Sequence, residues 1–190
     1  MILPQLKAET RALHARAEAA LDLLDPHLTP ERYVDVLRGL HALYTPLCAQ
    51  LGRTLAAHTA LDWPARAAVK VPALSADLRD LGAVPGPPRT VPAMTDEAHA
   101  WGALYVLEGA TLGGQLLRRH LAERLGTPER GLRFFGSYGE HVGARWKAFG
   151  AALTARTEAS PAAFRDGVVA GASATFLLFE TLAAPARVSA

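Results

Sequence analysis

The sequence predicts a single all-helical domain, on three observations. Apolar residues recur at three- and four-residue spacing along most of the 190-residue chain; no alternating apolar run is long enough for a sheet; and proline, glycine and capping residues cut the chain into helix-length pieces. Half of the residues are hydrophobic, a fifth are charged, and no internal repeat is evident. A chain of this length buries a real core as one domain, taken as residues 1–190.

The elements follow in order. From Leu3 to Leu24 the positions Leu6, Leu13, Ala17, Leu21 and Leu24 share a helical face. A second helix starts at Thr29-Pro30-Glu31, with a capping hydroxyl, proline in the first turn and an early acid. It places Tyr33, Leu37, Leu40, Tyr44, Leu47, Leu51 and Leu55 on one side, and Pro46 in its middle predicts a kink or break. Shorter helical pieces are expected over 62–69 and 73–81. Four prolines and two glycines between Gly82 and Pro92 exclude helix there, and the stretch reads as a surface connection. Thr95-Asp96-Glu97 opens a long helix that ends near Gly126. A non-helical passage from Thr127 to Gly139 leads to a helix holding Arg145-Trp146-Lys147, and Ser160-Pro161 caps the last helix.

Composition excludes several functions. A net charge of +2, with 17 arginines and 3 lysines scattered among 18 acids, gives no run that would bind nucleic acid. One cysteine, Cys48, rules out an internal disulfide and any Cys-x-x-Cys motif. The N-terminus lacks a secretory pattern, and no stretch comes near eighteen consecutive apolar residues, so a cytoplasmic location without membrane attachment is expected. There is no Glu-x-x-His pair for a di-iron bundle, no Gly-x-Gly-x-x-Gly after a strand, no P-loop, no Gly-x-Ser-x-Gly and no His-Glu-x-x-His.

Two regions carry the chemistry that remains. The helix from Trp101 to His120 contains Gly102, Gly109, Gly113 and Gly114, each about 1 kcal/mol worse than alanine in a helix interior. Gly109 and Gly113 lie four apart on one face, where missing side chains would let a flat ligand rest on backbone; close helix packing or a kink is the alternative. Of seven histidines, His14 stands out. It lies beside Leu13 on the first helix, with Glu18 one turn later, Arg11 one turn earlier and Lys7 two turns earlier. A neutral imidazole there can bind iron while a carboxylate orients the ring. An ordinary ion-pair surface of Lys7, Arg11 and Glu18 is the plainer alternative.

These two motifs resemble the haem oxygenase family, in its bacterial branch that includes phytochrome-associated members. Leu6-Lys-Ala-Glu-Thr-Arg-Ala-Leu-His14-Ala-Arg-Ala-Glu18 is similar to the family's proximal helix, and Tyr105-Val-Leu-Glu-Gly109-Ala-Thr-Leu-Gly113-Gly114-Gln115 to its glycine-kinked distal helix. The likeness extends to Phe134-Phe135-Gly136, to Arg145-Trp146-Lys147 and to Ala174–Phe179. It implies a helical bundle with haem between the two helices, and oxidative cleavage of that haem to biliverdin with release of carbon monoxide and iron. His14 would be the axial iron ligand and Glu18 its orienter. Lys7 and Tyr105, with Arg11, Arg145 and Lys147, would meet the haem propionates. Gly109, Gly113 and Gly114 would bring the distal backbone against the ring. The resemblance also implies dioxygen, an external electron donor such as a reductase or ferredoxin, and a bacterial phytochrome as bilin acceptor.

One departure matters most. Where animal-type members carry an aspartate that organises distal water, this chain has Ala110, so protons must be delivered by water held elsewhere, for example by Thr111 or Gln115. Ala110 also keeps open a non-catalytic haem carrier or sensor on the same fold. A further alternative is a thiamin-handling relative with Cys48 as nucleophile. No C-terminal apolar tail is present, so the membrane anchor of animal members is not expected.

Overall fold

A computed structural model describes residues 1–58, 61–94, 96–126 and 130–183. Among them there is no strand, and seven α-helices form one bundle: α1 (Ile2–Glu9), α2 (Arg11–Leu21), α3 (Pro30–Thr54), α4 (Trp63–Asp80), α5 (Glu97–Leu125), α6 (Val142–Glu158) and α7 (Ala162–Glu180). Short 3-10 turns occupy Gly139–His141 and Thr181–Ala183. The all-helical expectation holds.

The first helix is two. The chain breaks at Thr10, whose backbone leaves helical values at φ −98° and ψ 2° while its hydroxyl donates to the Leu6 carbonyl at 2.7 Å. A local side-chain bond of this kind competes with the helical ladder. α3 begins as expected, with Thr29 accepting from the Arg32 amide. It runs through Pro46 without the expected break. Proline leaves the Ala42 carbonyl without its intrahelical donor, and the Arg89 amide of the proline-rich connection takes that place at 2.9 Å. The two short pieces expected over 62–69 and 73–81 are one helix, α4, which carries Pro72 inside it.

α5 is the spine of the bundle. Asp96 caps its start, accepting from the Ala98 amide at 2.6 Å, and Gly126 ends it in the left-handed region at φ +62°. Thr95 and residues 127–129, which belonged to the expected start of α5 and to the passage after it, lie outside the described residues. Ser160 does not cap α7: its hydroxyl donates to the Arg156 carbonyl and closes α6. The loop at 130–138 is pinned beneath α5. Buried Asp77 accepts from the Arg133 and Phe134 amides, both at 2.8 Å, and the Tyr33 hydroxyl donates to the Gly131 carbonyl at 2.6 Å.

α7 packs more extensively on α5 than any other pair, at a crossing without side chains between the backbones. A Cβ on Gly102 would lie 2.0 Å from the Val168 carbonyl oxygen, and one on Gly171 2.3 Å from that of His99. α7 is also 19 residues long with a mean hydropathy of 1.3, enough by length and composition to cross a membrane. This corrects the expectation that no stretch comes near such a span, since glycine, alanine and threonine fill the gaps between its apolar residues. In the bundle it is the element on which both α5 and α2 pack.

Glu97, in the first turn of α5, is held by Arg156 of α6 through bonds of 2.6 and 2.8 Å and also accepts from Trp101. These bonds, those of Arg156 first, hold its carboxyl below the usual carboxylate range. A depressed carboxylate contributes stability that is complete above its unfolded value and lost as pH falls through the folded one. Thermal melts of Glu97→Gln should therefore show a loss of about 1 kcal/mol at neutral pH, with the difference from the parent closing as the solution becomes more acidic than the carboxylate range.

Candidate functional site

The four glycines of α5 divide into two kinds. Gly102 meets the α7 backbone, and a Cβ on Gly114 would lie 2.5 Å from the Phe135 carbonyl oxygen, so both are packing glycines. The expectation that Gly114 touches a ligand is thereby corrected: it faces the 130–138 loop. Gly109 and Gly113 are different. Nothing lies within 4 Å of a Cβ on Gly113, and one on Gly109 meets only the Trp146 ring, at 3.7 Å or more. Leu112 and Leu116 complete the same face at helical spacing, and they are 47% and 64% exposed. Large apolar side chains flanking bare backbone at the surface mark a face built for a flat apolar ligand.

α2 packs, like α5, on α7. The His14 side chain is 54% exposed, and its ring meets Phe176 of α7 edge-on, with centroids 5.4 Å apart. Glu18 lies 3.6 Å from Nε2, too far for a hydrogen bond and close enough to bias the ring's orientation. Lys7 and Arg11 are both exposed. Tyr105, half-buried on α5, brings its hydroxyl beside the Thr10 side chain, and burial with the opposing Thr10 contact sets a net upward shift of its pKa. Thr10 is one turn from both Lys7 and His14, so Tyr105 shares their end of the site. Arg145 on α6 faces the Tyr138 ring at 4.9 Å and lies 4.0 Å from Asp62, while Lys147 is exposed.

The structure adds residues that the sequence reading did not single out. Glu108, one residue before Gly109 and so about 100° away around α5, is 1% exposed and turned into the bundle. It pairs with Arg66, and Lys70 reaches its Oε1 at 3.0 Å. Tyr138 donates to the same oxygen at 3.0 Å. Arg66 also donates to the Leu61 carbonyl at 2.6 Å and the Arg145 carbonyl at 3.1 Å. A signal was available: Glu108 breaks an apolar helix face, and Arg66 and Lys70 stand four apart on α4.

The reading of Cys48 as a nucleophile loses support. Cys48 is buried and its thiol is pushed up to about 12 by burial, which leaves almost no thiolate for nucleophilic attack. Among the described residues no cluster of three metal-ligating side chains occurs, and most other histidines have ordinary partners, such as His58 on Glu97 at 2.9 Å and His41 on Ser75 at 3.0 Å.

The chain is similar to known proteins along most of its length. Residues 2–184 match the family model described as haem oxygenase. A haem oxygenase of Xanthomonas campestris pv. campestris (strain 8004) is 38% identical over 162 residues, covering 85% of this chain and 94% of the relative. The NO- and CO-bound haem oxygenase of Neisseria meningitidis superposes with a TM-score of 0.77 at 23% identity, over 96% of this chain and 90% of that one. The haem oxygenase of Leptospira interrogans gives 0.79 at 19% identity, over 96% and 98% of the two chains.

The division of the glycines is directly measurable. Gly113→Ala should raise the stability of the haem-free protein by up to about 1 kcal/mol, since the helix gains and nothing is struck. Gly114→Ala should lower it by about 1–3 kcal/mol through the clash with Phe135. Equal changes in denaturant midpoint for the two variants would show that the faces are not distinct.

Proposed function

The chain belongs to the haem oxygenase family, and on that premise we propose that His14 ligates the iron of a haem lying between α2 and the open face of α5. The protein is an enzyme of haem degradation, with haem as substrate and biliverdin as product. The observation that carries the site assignment is the bare Gly109–Gly113 stripe with its exposed leucines, facing solvent while the other two glycines of α5 are packed. The residues present fit the substrate: an accessible imidazole on one side, apolar surface without side chains on the other.

Bound haem supplies the oxygen-activating iron and the macrocycle that is opened. The protein's own groups do the rest. His14 offers an imidazole nitrogen, with its ring steadied by the edge contact to Phe176 and biased by Glu18. Lys7 and Arg11 bring positive charge, and Tyr105 a hydroxyl, to the end of the site where the propionates would lie, with Lys147 on α6 as a further cation, whereas the Arg145 guanidinium is engaged with Tyr138 and Asp62. Gly109 and Gly113 would let the α5 backbone approach a bound haem and keep bulk water off that face. Ala110 presents no acid or hydroxyl, so a proton on that face must come by way of water.

The same reading includes an external reductase or ferredoxin as electron donor, a bacterial phytochrome as bilin acceptor and a cytoplasmic location, with residues 1–190 forming one such domain. His14→Ala should lose both the histidine-ligated Soret spectrum and turnover, and recover them with added imidazole. Lys7→Ala removes an exposed contact of about 1 kcal/mol and should weaken haem binding by no more than about tenfold. An unchanged Soret spectrum and normal bilin formation in His14→Ala would assign the ligand to another histidine.

A further inference from the structure

On the side of α5 away from the Gly109–Gly113 stripe, a cavity of about 10 Å³ is lined by Lys70, Ala110, Thr111 and Ser137, with Gly114 and Phe135 closing it. That volume accommodates one water. The polar groups around it match a single water as well. Lys70 Nζ carries three protons, and two are taken by Glu108 and the Tyr138 hydroxyl, each at 3.0 Å. Thr111 spends its only proton on the Glu108 carbonyl at 2.6 Å, and Ser137 spends its own on the Phe134 carbonyl at 2.5 Å. Both hydroxyl oxygens therefore keep only lone pairs for the cavity. One spare donor and two spare acceptors remain, so a single water held by Nζ can give one proton to a hydroxyl and turn the other toward the rim.

The cavity also has an outlet. Ala110 lines it and is nevertheless exposed, so residue 110 stands at its rim. Successive helical residues turn by about 100°, which puts Ala110 between the open stripe at Gly109 and the cavity wall at Thr111.

Resting on the haem oxygenase reading, we propose that Lys70 positions a bound water at the rim beside Ala110, and that this water supplies the hydrogen-bonding group that residue 110 lacks. Lys70 is a positioning residue in this account, acting through the water. Its ammonium accepts nothing, so the water must turn a lone pair toward Nζ and its protons toward Ser137, Thr111 or the distal edge. The cluster fixes Nζ in place: Glu108 from α5, Arg66 from α4, Tyr138 from the 130–138 loop, Arg145 from α6, and Cys48 and Tyr44 from α3 are the charged and titratable groups around it. Burial pulls the Lys70 pKa down and the Glu108 carboxylate pushes it back up.

Two measurements test this. Diffraction from haem-free crystals should show an ordered water within hydrogen-bonding distance of Lys70 Nζ and the two hydroxyls in the parent, and no water in Ser137→Val, whose extra methyl fills the cavity with the ion cluster intact. In the ferric haem complex, the acid–alkaline midpoint followed at the Soret band should rise by about half a unit or more in Ser137→Val and in Lys70→Gln, because a donor favouring bound hydroxide has been lost. Parent crystals without the water overturn the proposal, as does a water present with unmoved midpoints in Ser137→Val. Failure of the parent to bind haem through His14 would overturn the functional reading alone, with diffraction still deciding the water site.

Discussion

A carboxylate buried to 1% exposure is the constraint around which this bundle is organised. A carboxyl group inside an apolar core needs cations and donors around it, and α4 brings Arg66 and Lys70 to Glu108 while the 130–138 loop brings Tyr138. Removing one member of such a cluster costs about 3–5 kcal/mol, although the assembled cluster adds little against an apolar replacement. Its consequence is therefore geometric. α4 and the loop are drawn behind α5 and locked in register, Trp146 of α6 borders the face at Gly109, and from Leu112 to Leu116 that face is left open.

α7 completes the arrangement from another side. Glycines at its crossing with α5 allow the two backbones to touch, which fixes the height of α5 with almost no side-chain freedom. The same helix carries Phe176 under His14 and ties to α2 through the Arg16–Glu180 ion pair at 2.5 Å. α2 and α5 thus pack on α7 far more than on each other. The gap between them is set by a third helix, so a ligand can enter without prising apart a packed pair.

Much of this was legible in the sequence because it rests on local chemistry. The Asp96 cap, the Gly126 stop and the Thr29-Pro30 start each act within one turn, and all three appear where the residue types put them. What escaped depends on distant partners. α3 passes through Pro46 because an amide more than forty residues away satisfies the Ala42 carbonyl. The split of four glycines into packed and open pairs requires knowing that Phe135 and Val168 lie behind α5. Glu108, Arg66 and Lys70 looked like ordinary charges until the fold placed them at 1–4% exposure. Thr10 was a subtler case, since one threonine hydroxyl bonding backward was enough to divide the first helix.

The central claim is that the bare stripe of α5 and the imidazole of His14 are the two walls of one haem site. A crystal structure of the ferric haem complex tests it most directly. The account predicts His14 coordinated to iron and the opposite face of the macrocycle against the backbone at Gly109 and Gly113, with Leu112 and Leu116 covered. Haem held by a different histidine, or bound away from that stripe with both leucines still exposed, would contradict it.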